Sequence, residues 1–231
     1  MALILNLETA TTVCSVALGR NGELAAYKEV NKDYSHSENL TVFIQAVLKE
    51  AKLDISDLDA VAVSKGPGSY TGLRIGVSAA KGLCFALDKP LIAINTLQAM
   101  AYSEKFAIQH SPLTTLFCPM IDARRMEVYC AFYNSENKEI RKTTAEIIDE
   151  NSFAGILKKH KVVFFGDGAS KCKSKLAHYP NAVFIDNIFP SAKNMIKISQ
   201  DAFNASRFED MAYFEPYYLK DFVTGAKKIN T

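Results

Sequence analysis

Gly66-Pro67-Gly68-Ser69-Tyr70-Thr71-Gly72-Leu73-Arg74 is the stretch on which the reading of this chain turns. It leaves an apolar strand pattern, Leu58 to Val63, and enters a helical pattern from about Gly72 to Leu87. Pro67 stiffens the turn, and Gly66 and Gly68 permit dihedrals and close backbone approach that a side chain blocks. Thr71 is the expected N-cap, so the loop feeds backbone N–H groups into a helix start, a geometry suited to an anion. It is not a Walker loop, because no Gly-Lys-Ser/Thr closes it and Arg74 lies within the helix. On these residues alone, an anion contact through Gly68 and Ser69 and a plain strand-to-helix corner both stay open.

The helix that follows repeats Gly72, Gly76 and Ala80 every four residues. Glycine inside a helix costs about 1 kcal/mol relative to alanine, so the repeat calls for close approach by another helix. Leu40, Phe43, Ile44, Val47, Leu48 and Ala51 fall at helical spacing and predict a helix from about Ser37 to Lys52, capped by Ser35 or Ser37. Leu40, Phe43 and Val47, with Gly72, Leu73, Gly76 and Ala80, are the expected partner interface. Spacing leaves open whether the approaching helix belongs to this chain or to a partner.

Working outward, residues 3 to 7, Val13 to Leu18 and Glu23 to Val30 read as strands, with Asn21-Gly22 as a hairpin turn. Leu91 to Ile94 reads as a strand, with a helix opening near Thr96. The second half begins alike: Leu116 to Ile121, then Glu127 to Tyr133, then a turn at Asn134 to Asn137. Placed under the first half, Asp122 matches Glu8, Glu127 to Cys130 matches Val13 to Val16, and the hairpin turns coincide without a gap. Val162 to Phe165 ends in Gly166-Asp167-Gly168, and Ala192 to Phe203 is helical in pattern. An internal duplication of α/β lobes follows, with boundaries at 1–105 and 106–231.

Composition excludes several classes. Of 231 residues 48% are hydrophobic and 23% charged, with a net charge of +2, too small a bias to mark a nucleic-acid footprint by itself. The runs at 158–161 and 171–175 are short and read as solvated faces. The five cysteines show no Cys-x-x-Cys spacing and read as small buried hydrophobes in a reducing compartment. The N-terminus does not read as a signal peptide, no apolar run reaches the roughly 20 residues of a membrane span, and the chain is expected to be cytoplasmic.

Candidate chemistry is sparse. His36, in Ser35-His36-Ser37-Glu38, has no third group to orient it as a base and reads as a polar contact at a helix start. No histidines stand at metal-ligand spacing. Glu8 and Asp122 end equivalent strands and are candidates to face each other across a cleft and hold Mg²⁺ through water. The turns after both lack glycine, which argues against a phosphate-gripping hairpin. Gly166 and Gly168 are further candidate nucleotide or anion contacts.

Several segments then combine: Ser35-His36-Ser37-Glu38-Asn39-Leu40, Gly66 to Gly76, Ile121 to Tyr129, Gly166-Asp167-Gly168 and Pro216-Tyr217-Tyr218-Leu219-Lys220. In that order they resemble the bacterial TsaB (YeaZ) family over essentially the whole chain. The resemblance implies a duplicated actin/Hsp70-type ATPase fold of two ribonuclease-H-like lobes with mixed sheets. It further implies a non-catalytic subunit that binds the catalytic paralogue TsaD and works with the ATPase TsaE. That assembly transfers a threonylcarbamoyl group to N6 of an adenosine in tRNA. The paralogue's metal-binding Asn-His-x-x-x-His corresponds here to Asn95-Thr96-Leu97-Gln98-Ala99-Met100, and a hydroxyl with a thioether is no site for a hard divalent ion. By the same resemblance no cofactor is required by this chain, a nucleotide enters only with the assembled complex, and tRNA is met through that complex. Alone, the chain is expected to form a homodimer. The sequence departs from the family's usual residues at Tyr70, Met126 and Lys220. Two other readings stand beside this one: an autonomous nucleotide-dependent transferase or ATPase using Glu8 and Asp122, and a peptidase, which has no zinc motif to support it.

Overall fold

β1 (Leu3–Glu8) is apolar at almost every position, and it is buried at every position because it is the middle strand of a sheet covered on both faces. A computed structural model of the chain describes residues 2–32, 36–103 and 114–220. β2 (Val13–Arg20) runs antiparallel to it and β3 (Glu23–Asn31) antiparallel to β2, as a meander. β4 (Ala60–Gly66) and β5 (Leu91–Asn95) add in parallel on the other side, each reached through a helix: α1 (His36–Ala51) and α2 (Tyr70–Leu87). The order is β3-β2-β1-β4-β5.

The second half repeats the plan. β6 (Thr115–Asp122), β7 (Glu127–Tyr133) and β8 (Glu139–Ile147) form the meander, and β9 (Lys161–Phe165) and β10 (Ala182–Ile185) the parallel side. α4 (Ala154–Leu157) and α5 (Ala169–Leu176) make the crossings, and the order β10-β9-β6-β7-β8 is the same topology. β8, β10 and α5 have no counterpart in the sequence reading, since Glu139–Ile147 is largely polar and exposed and α5 carries few apolar residues.

The ungapped matching of the halves needs correction. Glu8 faces Ser15 across the first pair, while Asp122 faces Val128 across the second, so the second connection is one residue shorter. The next turn is longer in the second half, because Arg20 pairs with Glu23 but Tyr133 pairs with Glu139.

Each sheet is closed on one face by its own helices. α1 and α2 lay Leu40, Ile44, Val47, Val77 and Cys84 on Leu5, Leu7, Val16 and Val63. The opposite faces are covered by exchange. α3 (Thr96–Ala101) carries Leu97 and Met100 onto Phe117, Tyr133 and Phe165 of the second sheet. A 3-10 turn (Ala192–Met195) and α6 (Ile196–Asn204) return to Ile4, Ala17, Ala62 and Ile92 of the first. Residues after α6 stay there: Glu209 N–H donates to the Leu91 carbonyl and Tyr217 N–H to that of Lys65. The expected boundary at 105/106 lies outside the described residues, and residues 192–217, assigned by sequence to the second lobe, pack on the first sheet.

Candidate functional site

The turn after β1 and the start of α2 touch each other at backbone distance. Ser69 N–H donates to the Ala10 carbonyl at 2.7 Å, and Thr9 Oγ1 donates to the Gly72 carbonyl at 2.8 Å. A Cβ on Gly68 would lie 2.3 Å from the Ala10 oxygen, one on Gly72 2.1 Å from the Thr9 oxygen, and one on Gly76 2.3 Å from Thr9 Oγ1. The close approach that these glycines permit is therefore made by the β1–β2 turn of the same chain. The helix cap is Ser69, whose Oγ accepts from Gly72 N–H, and not Thr71, which is exposed.

The second lobe repeats this corner. Gly66 and Gly166 both take positive φ (+109° and +102°), and Gly168 N–H donates to the Met120 carbonyl at 3.0 Å. A Cβ on Gly168 would meet the backbone at Ile121 and Asp122. Gly166 and Gly168 thus serve close packing of strand on turn.

Between the two corners lies a cleft of about 1150 Å³. Thr11, His36, Gly68, Ser69 and Tyr70 line one wall, Asp122, Arg124, Arg125, Glu127 and Tyr129 the other, and Tyr217 to Lys220 cross its mouth. His36 opens α1 and donates from Nε2 to the Thr11 carbonyl at 2.7 Å, a polar contact at a helix start. Ser35 lies outside the described residues.

Glu8 and Asp122 do not make the magnesium pair considered from sequence. Glu8 is fully buried, its Oε1 accepting from Ala10 N–H at 2.6 Å and Ser64 Oγ at 2.8 Å, and its Oε2 has no partner. Burial pushes its carboxyl up to about 7, with those hydrogen bonds opposing. Asp122 is bound to Lys171 at 2.7 Å and accepts from Arg124 N–H. A carboxyl titrating near neutrality and a carboxylate already neutralised are poor ligands for a hard cation. Among the described residues, no group of three or more His, Cys, Asp or Glu side chains is placed to hold a metal ion.

Asn95 caps α3, its Oδ1 accepting from Leu97 N–H at 2.9 Å and Gln98 N–H at 3.2 Å. Thr96 and Met100, on that helix, are fully buried; Met100 belongs to the core above the second sheet, and Thr96 Oγ1 makes no hydrogen bond. Both side chains act as packing.

The expected partner interface also needs correction. Leu40, Val47, Leu73 and Ala80 are at most 3% exposed, Gly72 and Gly76 face Thr9, and Phe43 is half-buried against the first core. The outer row of the same helices is what faces solvent: Val42 at 56%, Phe85 at 80%, and Gly82, around whose Cβ position there is open space. Sequence spacing had selected the inward stripe, since buried and interface stripes share one period.

Two features escaped the sequence reading. Arg124 and Arg125 are both left-handed (φ 71° and 51°), and the Tyr218 ring lies 4.9 Å from that of Tyr70. The Arg-Arg turn and the Pro-Tyr-Tyr-Leu-Lys segment were visible as strings, but nothing local placed them on one cleft.

The family model for TsaD, tRNA N6-adenosine threonylcarbamoyltransferase, matches residues 9–220. The Escherichia coli tRNA threonylcarbamoyladenosine biosynthesis protein TsaB is 31% identical over 97% of both chains. A Pseudomonas aeruginosa crystal structure described as similar to peptidase YeaZ superposes at a TM-score of 0.83, with 25% identity, over 95% of this chain and all of that one. An activator of 2-hydroxyisocaproyl-CoA dehydratase from Clostridium difficile, solved with ADPNP, shares the fold at a TM-score of 0.50 and 11% identity, over 89% of this chain and 96% of that one. Two mixed sheets of one topology, with these neighbours, make the fold the duplicated actin/Hsp70-type α/β architecture. With glycine corners that grip their own turns, and relatives matched over nearly its whole length, the chain belongs to the TsaB (YeaZ) family.

Proposed function

We propose that this chain is the non-catalytic subunit of an assembly that forms N6-threonylcarbamoyladenosine in tRNA, supporting a TsaD-like catalytic paralogue together with a TsaE-like ATPase. The observation that carries the reading is at α3. The positions that hold the paralogue's metal are here Thr96 and Met100, both fully buried as packing. The name of the Escherichia coli relative supplies the pathway. No helix of the described residues is long and apolar enough to cross a membrane, which accords with work on tRNA in the cytoplasm.

The partner surface is the outer row of α1 and α2, with Val42 and Phe85 as its apolar anchors and Gly82 as a place of close approach. In the absence of the paralogue the same row pairs with a second copy. The two lobes, 1–105 and 106–231 in chain order, with residues 192–217 of the second laid on the first sheet, frame the subunit, and a nucleotide enters only with the assembled complex.

Size-exclusion chromatography of the chain with its cognate paralogue tests this. A joint peak is expected for wild type and for Gly76→Ala variants that remain folded, and its loss is expected for Phe85→Glu with Val42→Glu. Separate elution of the two wild-type proteins, with and without ATP and the third subunit, would overturn the reading. ATP turnover by the chain alone, abolished by Asp122→Asn, would favour an autonomous enzyme.

A further inference from the structure

We propose that the mouth of the interlobe cleft contacts single-stranded RNA directly, through the Arg124 and Arg125 guanidiniums on one lip and the Tyr217 and Tyr218 rings on the other. The inference rests on the reading of the chain as part of a tRNA-modifying assembly and adds a contact that this reading does not require.

Charge bookkeeping singles out the two arginines. Of the acidic groups lining the cleft, Asp122 is paired with Lys171 and Glu127 with Lys220, while Asp167 has no ion pair among the described residues and accepts from Asp122 N–H at 3.1 Å. Arg124 and Arg125 are exposed, and their guanidiniums have no hydrogen bond or ion pair among the described residues. They are positive charge without an ion-pair partner at the rim of a concave surface, two against the single unpaired carboxylate of Asp167. Neither short basic run lines the cleft, and within the second run Lys171 and Lys175 are occupied by Asp122 and Glu150.

Backbone strain points the same way. Both arginines sit in the left-handed region, which costs a side-chain-bearing residue roughly 1–2 kcal/mol and a glycine almost nothing. The turn is held without the guanidiniums: Arg124 N–H donates to the Asp122 carboxylate at 2.6 Å, and Glu127 N–H donates to the Arg124 carbonyl at 3.2 Å. The fold here needs the dihedrals and not the guanidiniums, and strained positions of this kind collect at functional surfaces.

The other lip supplies rings. Tyr217 and Tyr218 are 39% and 38% exposed, Tyr218 lies against Tyr70, and the Arg74 guanidinium stands 5.4 Å from the Tyr70 ring centre. Aromatic faces that take unstacked bases, beside cations that take phosphates, are the means by which proteins hold single strands and loops. A cleft of about 1150 Å³ admits splayed nucleotides. An acidic peptide would answer to the arginines and leave the rings unused.

Binding of unmodified tRNA to the chain with its paralogue, and of a single-stranded RNA oligonucleotide to the chain alone, is measured across a salt series. Arg124→Asn with Arg125→Asn keeps residues that tolerate the left-handed turn and is expected to leave Tm unchanged. It should weaken RNA binding about tenfold or more near 0.1 M salt and flatten the log K against log salt slope by about 1.4, two single-strand phosphate contacts. Lysine at both positions should restore the slope, while Tyr218→Ala should weaken binding with the slope kept. Because the oligonucleotide arm needs no paralogue, failure of the accessory-subunit reading leaves this test standing. Wild-type affinity and slope in the Asn variant, in both arms, would overturn the contact. So would competition by polyglutamate equal to that by RNA, with Tyr218→Ala silent.

Discussion

Glu8 closes β1 with a carboxyl whose two oxygens have unlike surroundings, one accepting from Ala10 N–H and Ser64 Oγ, the other buried and unpartnered. Burial raises its pKa from 4.5 to about 7. A folded value above the unfolded one means that its contribution to stability is full below about 4.5 and is lost as pH rises through about 7. The loss amounts to roughly 3 kcal/mol over that window. Thermal unfolding followed from pH 4.5 to 8 should therefore show wild type losing stability, while Glu8→Gln holds a nearly level Tm. A wild-type Tm that rises over the same range would contradict a protonated Glu8. From sequence, this residue was one of two equal carboxylates. Its partnering by Ser64, fifty-six positions away, is a tertiary fact and could not be seen from the string.

At the scale of the element, α2 holds three glycines with opposite meanings. A methyl group on Gly72 would lie 2.1 Å from the Thr9 oxygen and one on Gly76 2.3 Å from Thr9 Oγ1, whereas at Gly82 it would meet nothing within 4 Å. Gly72→Ala is expected to destabilise by about 2 kcal/mol or more, since backbone on both sides must shift. Gly82→Ala should stabilise by about 1 kcal/mol, the usual helical gain. Denaturant unfolding distinguishes the two; equal effects at both sites would refute the assignment of Gly72 to the β1–β2 turn. Sequence marked the helix and its small-residue face correctly, because a 3.6-residue period is local. It misjudged what the face meets: Thr9 is sixty-three positions from Gly72 in the chain, and only folding brings it there.

Across the whole molecule the two sheets are finished by each other's chain segments, α3 on the second and residues 192–204 on the first. Ile196 seats on Gly19, where a Cβ would come within 2.8 Å of its Cγ2. Ile196→Ala should cost about 2–5 kcal/mol, read as a lowered urea midpoint, although the residue belongs by sequence to the other half. A chain ended at Pro190 would bare Ile4, Ala17, Ala62 and Ile92, and is expected to lose its cooperative transition; an intact first-lobe transition would show that the exchange is dispensable. The sequence by itself determined the repeated α/β plan, the strand-glycine-helix corners and the family, because periodicity, turn chemistry and dense motifs are written in neighbouring residues. Tertiary structure alone decided that the Gly72 to Ala80 stripe faces inward, that Glu8 is buried instead of poised for a cation, and that Arg124, Arg125, Tyr217 and Tyr218 share one cleft. Those outcomes depend on contacts between residues distant in the chain, fixed only when strands, turns and crossing helices close around a common core.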